Sequence, residues 1–120
     1  MKRIVAIAVT PLALALSGCG GGPSAVITHK VESVVPLNSS TVRIYVRWTN
    51  VGKASGSASC SINATATDAN GDQVGSGVDS AGTNGNLAPG ASQTLYQDMT
   101  ITGNQAQLVT SPSDISIVDC

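Results

Sequence analysis

Apolar and polar residues alternate along much of the chain, most sharply over residues 41–50. Val42, Ile44, Val46 and Trp48 fall on one face, and Thr41, Arg43, Tyr45, Arg47 and Thr49 on the other. A two-residue period of this length predicts a half-buried strand. Residues 58–68 alternate in the same way, with Cys60, Ile62, Ala64 and Ala66 together. Residues 93–102 align Leu95, Met99 and Ile101. Residues 25–35 read as a first strand with Ile27, Val31 and Val35 inward. A shorter strand is predicted over 73–79, and Ile115, Ile117 and Val118 form a last one. Only residues 104–109 read as helical, for a turn or two at most.

The breaks between these segments have turn chemistry. Asn70-Gly71 is a hairpin signal, because both residues tolerate positive φ. Val51-Gly52-Lys53, Asn84-Gly85-Asn86 and Pro89-Gly90 mark further turns. Gly75-Ser76-Gly77 and residues 80–86 read as mobile Gly-rich sequence. They lack the helix and lysine that a phosphate cradle needs. About six to seven short strands with frequent turns predict an all-β antiparallel sandwich over residues 25–120. Strand, Asn50-Val51-Gly52, a strand ending in Asp68-Ala69-Asn70-Gly71, then Leu87-Ala88-Pro89-Gly90-Ala91 before another strand: this arrangement resembles the immunoglobulin-like domains of bacterial envelope proteins, of the FxLYD and CARDB types. The resemblance implies an immunoglobulin-like β-sandwich serving adhesion, assembly or ligand presentation.

The start of the chain differs in character. Lys2 and Arg3 precede residues 4–16, which are apolar except for Thr10 and Pro11; Ser17, Gly18 and Cys19 follow. A basic start, a short apolar run and small residues describe a secretory leader. The run is shorter than the roughly 20 residues needed to span a bilayer. Leu16-Ser17-Gly18-Cys19 resembles the lipobox of bacterial lipoproteins. That resemblance implies cleavage of residues 1–18, acylation of Cys19 and lipid anchorage in the cell membrane or outer membrane. Gly20, in place of an inner-membrane retention aspartate, resembles the outer-membrane-sorted pattern of a diderm host. Residues 19–24 then serve as a short, Gly-rich tether.

Composition narrows the chemistry. Six Lys and Arg against seven Asp and Glu give a net charge of −1. Nucleic-acid binding, which rests on clustered cations, is therefore not expected. The apolar fraction of 42% and charged fraction of 11% argue against a disordered acidic tail. Apart from Cys19 the cysteines are Cys60, on an inward face, and Cys120, at the end of the last strand. In an oxidising compartment these two are expected to pair. The bridge would close about 60 residues and add roughly 4 kcal/mol by chain entropy.

Catalytic patterns are lacking. His29 is the only histidine, no Gly-x-Ser-x-Gly elbow is present, and Glu32 falls on the opposite strand face from His29. One His and two paired Cys cannot close a zinc shell. Asp68, Asn70 and Asp72 place oxygen ligands at alternate positions, as calcium loops do. However, Gly71 follows the second ligand instead of the third, and no Glu completes the set; a hairpin accounts for the same residues. No cofactor is expected.

The remaining candidate is the polar face of residues 41–50. Arg43, Tyr45 and Arg47 project together at two-residue spacing. They suit a carboxylate, a sugar or an acidic strand, or else form a solvated face with arginine paired across the sheet. The expectation is a non-enzymatic, lipid-anchored envelope protein with a protein or polysaccharide partner. The alternative is a structural accessory of a secretion or pilus assembly.

Overall fold

The strongest alternation in the sequence becomes the centre of a sheet. The computed structural model describes residues 23–120; the leader expected at 1–18, Cys19 and the expected tether through residue 22 lie outside the described residues. Six strands follow: β1 (Ile27–Pro36), β2 (Thr41–Asn50), β3 (Ser59–Thr67), β4 (Gln73–Gly82), β5 (Ser92–Thr100) and β6 (Ile115–Val118). They form two antiparallel three-stranded sheets, ordered β1-β2-β5 and β4-β3-β6. The chain is thus all-β, a small sandwich. Val42, Ile44, Val46 and Trp48 point from β2 into the core, meeting Ile62, Ala64 and Ala66 of β3 and Met99 of β5. Cys60 and Cys120 are joined by a disulfide that ties the residues after β6 back to β3.

Three expectations need correction. In β1 the pairing register shifts between Val31 and Ser33. The bulge at Glu32 inserts one residue and reverses the alternation beyond it. Val34 therefore turns inward and is 9% exposed, while Val35, expected inside, is 44% exposed. The strand expected over 73–79 is present, but it includes Gly75-Ser76-Gly77 and continues to Gly82, so this Gly-rich stretch is ladder and not a mobile loop. A side chain at Gly77 would meet the Thr100 carbonyl oxygen at 2.5 Å and Met99 Sδ at 2.7 Å; the two glycines let the end of β5 and the following residues lie against β4. The hairpin after β3 is present, but only Gly71 has positive φ. Gly71 N donates to Asp68 O, making a turn followed by a left-handed glycine rather than a two-residue Asn-Gly turn.

The segment read as briefly helical contributes one 3₁₀ turn, Ala106–Leu108, flanked by Thr102–Asn104 and Pro112–Asp114. Ala106 and Val109 are fully buried. Backbone bonds from Ile101 N to Ser40 O (2.8 Å) and Ala106 N to Ser39 O (3.0 Å) dock this crossover on the β1–β2 hairpin.

At the other end of β2 the inward alternation continues one step past Trp48, to Asn50. Among the described residues its side chain is the buried polar group of the core, with no solvent exposure. Asn50 Nδ2 donates to Ala54 O (2.8 Å) and Leu87 O (2.9 Å). Oδ1 accepts from Gly52 N (2.9 Å) and Val26 N (3.3 Å). An asparagine side chain has two donors and an acceptor with two lone pairs, so all four positions are filled. The chain arriving at Val26, the β2–β3 crossover and the β4–β5 crossover are gathered on one residue. Gly52 is part of the same closure: a Cβ there would strike Ser24 O and Val26 N. Replacing Asn50 by Ala leaves buried donors and acceptors unmet, at about 3 kcal/mol in total. By thermal unfolding, N50A is expected to melt roughly 12 °C or more below wild type. N50D keeps the shape but loses one donor when protonated and both when ionised, so its destabilisation should grow as pH rises and the buried carboxyl ionises.

Candidate binding face

Strand alternation that buries one side of β2 presents the other. Arg43, Tyr45 and Arg47 lie on the outer face of the β1-β2-β5 sheet, as the sequence predicts. Pairing sets their neighbours. Arg43 is opposite Asp98, Tyr45 opposite Tyr96 and Arg47 opposite Thr94 on β5. Across β1, Arg47 meets Lys30, Tyr45 meets Ser33 and Arg43 meets Val35.

The two arginines are in different situations. Arg43 makes a bidentate pair with Asp98, Nε to Oδ1 at 2.8 Å and Nη2 to Oδ2 at 3.0 Å. Its guanidinium also lies 4.1 Å from the centre of the Tyr96 ring. The Asp98 hydrogen bonds are the main reason the guanidinium is held still further above its ordinary pKa; burial opposes and Tyr45 assists. The Arg43 hydrogen bonds in turn hold the Asp98 carboxyl below the ordinary aspartate value. This half of the candidate is a solvated cross-strand pair. Arg47 is exposed and stands directly opposite a second exposed cation, Lys30. Among the described residues neither has a carboxylate within 4.0 Å.

Between these two groups Tyr45 and Tyr96 sit with ring centres 5.8 Å apart, tilted by 52°. Tyr96 is 58% exposed. The margin of the face is hydroxylic: Thr49 Oγ1 and Ser92 Oγ share a 2.8 Å hydrogen bond, and Thr28 Oγ1 donates to Thr49 O.

The other candidates lie apart from this face. His29 is on the inner side of edge strand β1, edge-on to Trp48 at 5.9 Å; partial burial lowers its pKa. At the β3–β4 turn, Asp68 Oδ1 accepts from Asn70 N (2.9 Å) and Asp72 N (3.0 Å), so this oxygen holds the turn. Among the described residues no three His, Cys, Asp or Glu side chains are grouped to hold a metal ion. Comparison with family models, curated proteins and solved structures finds no match.

Lys30, Tyr96 and Asp98 were not singled out by sequence, although the alternation of 93–102 already places Tyr96 and Asp98 opposite Leu95 and Met99. Their partners depend on strand register, which alternation alone does not supply. The Arg43–Asp98 geometry has a direct readout. Asp98 should titrate below the ordinary aspartate range by carboxyl-carbon NMR and return to that range in R43Q. Because its folded pKa is depressed, the pair favours the fold above the unfolded aspartate value. That contribution is lost as pH falls through the folded one.

Proposed function

We propose that the chain is a lipid-anchored, extracytoplasmic binding module without catalytic activity, acting through the outer face of the β1-β2-β5 sheet. The observation that carries this reading is the open Arg47–Lys30 pair beside two tyrosines. These groups lie outside the core, yet they are held in one register by the strands beneath them. The export half of the reading is supported by the leader ending at Cys19 and by the Cys60–Cys120 disulfide, since such bridges persist in oxidising compartments.

The point where the chain joins the sandwich fits such an anchor. Ser24 O accepts from Lys53 N (2.9 Å) and Ala54 N (3.3 Å), next to Asn50. A tether over 19–24 reaches roughly 20 Å when extended. It would keep the Asn50 end of the sandwich near the bilayer and leave the sheet face pointing sideways into the envelope. Several acyl chains, at about 0.8 kcal/mol per buried methylene, give a stable attachment.

The test is detergent phase separation of the chain produced with its own leader, followed by N-terminal mass analysis. The expected product lacks residues 1–18, carries acyl chains on Cys19 and enters the detergent phase. C19S should stay in water. A wild-type product that retains Met1 and stays in water would contradict the anchor.

A further inference from the structure

From the same face we infer a ligand class: an acidic polysaccharide bearing uronate carboxylates, held by Lys30 and Arg47 with Tyr45 and Tyr96 beneath its sugar rings. The inference rests on the binding-module reading above and adds what is bound and by which residues.

Like charges directly opposite each other on paired strands oppose folding. Lys30 and Arg47 are such a pair. Four residues back along β2, at Arg43, the same sheet meets a cation with a carboxylate in register, Asp98. The sheet therefore neutralises one arginine and leaves the next as part of a bare dication. Glu32, at the adjacent bulge, forms no salt bridge with either cation among the described residues. Two neighbouring cations on one flat face match a ligand with closely spaced anions, and the guanidinium fork suits a carboxylate.

The surroundings decide what carries those anions. The buried centre of a protein–protein interface is more apolar than its rim and poor in charge, lysine included. Here the exposed large aliphatic residue in register on the face is Val35, at its edge beside Arg43. What surrounds Lys30 and Arg47 is hydroxylic and aromatic: Ser33, Thr94, Tyr45 and Tyr96. Arg43 occupies the ring of Tyr96 from one side and helps to fix its position. A chain of hydrated rings with apolar C–H faces and pendant carboxylates meets every one of these groups. A strand of such a glycan lying along β2 would place a carboxylate at Arg47 and Lys30 and a sugar ring over the tyrosines.

Full-length protein in detergent micelles, titrated calorimetrically at physiological ionic strength, tests this with three probes: polygalacturonate, dextran and poly-L-glutamate. Polygalacturonate should bind and dextran, lacking carboxylates, should not. Polyglutamate at equal carboxylate concentration should bind at least about tenfold more weakly, one 1.4 kcal/mol step. K30Q and R47Q should each weaken polygalacturonate binding about tenfold while melting no lower than wild type, since each removes a repulsion. E32Q should bind equally or more tightly. Y96A should remove the preference over polyglutamate. Equal or tighter binding to polyglutamate overturns the proposal and points to an acidic protein segment. No binding to polygalacturonate, or binding indifferent to K30Q and R47Q, also overturns it. Should C19S and wild type still differ in phase separation, and in-cell crosslinks be lost in K30Q and R47Q, only the ligand class is wrong. Loss of both differences would reject the module itself.

Discussion

Four hydrogen bonds to the Asn50 side chain hold together three chain segments that are far apart in sequence. Val26 brings in the start of the sandwich, Ala54 belongs to the first crossover between sheets and Leu87 to the second. The backbone of Asn50 adds two more links, donating to Ala91 O and accepting from Gly90 N. Asn50 is therefore where β2 must stop, because each of its polar groups is committed. A sheet has no intrinsic objection to slipping by a residue, but a slip would turn every side chain to the opposite face. With Asn50 in place, slippage of β2 would leave several buried polar groups unpaired, each costing about 1–3 kcal/mol. The hydrophobic alternation and the polar hub thus favour the same register.

That register has consequences on both sides of one strand. Inward, it puts Trp48, the chain's single tryptophan, on Ile44, Ile62 and the rest of the core. The core is short of aromatic volume, and much of the packing is achieved by bringing backbone close, as Gly77 does against Thr100. The disulfide secures the short β6, which has only four residues of ladder with β3. Outward, the same register sets Tyr45 beside Tyr96, Arg43 beside Asp98 and Arg47 beside Lys30. The outer face is as fixed as the core, since neither can move without the other. A rigid array of this kind costs a ligand little reorganisation on binding.

How much of this is written locally varies by residue. The inward set Val42, Ile44, Val46 and Trp48 follows from alternation alone, and so does the outward set Arg43, Tyr45 and Arg47. Both rest on a period of two within one segment. Cys60 and Cys120 were accessible through chemistry, being the two thiols left once Cys19 is set aside, one on an inward strand face and one at the end of the last strand. Val35 was misplaced because a bulge is decided by pairing with the neighbouring strand, and nothing in residues 25–35 announces it. Gly75 and Gly77 look like flexible sequence until the chain that lies against them is known. Asn50 closes the strand over 41–50 in the sequence, next to the Val51-Gly52-Lys53 turn, and is not assigned to the core there. Its burial had a signal, the continuing inward period after Trp48, but asparagine's preference for turns hid it. Lys30, Tyr96 and Asp98 acquire meaning only as cross-strand neighbours, a property of register and not of any one segment.

The dependence of the candidate face on Asn50 is open to direct observation in solution by NMR. The Asn50 Nδ2 protons should resist exchange with water and show contacts to Ala54 and Leu87. Cross-strand contacts should link Tyr45 to Tyr96 and Lys30 to Arg47 in the same protein. Side-chain amide protons at Asn50 that exchange as freely as those of a surface asparagine, alongside a β2 register displaced by even one residue, would contradict the account.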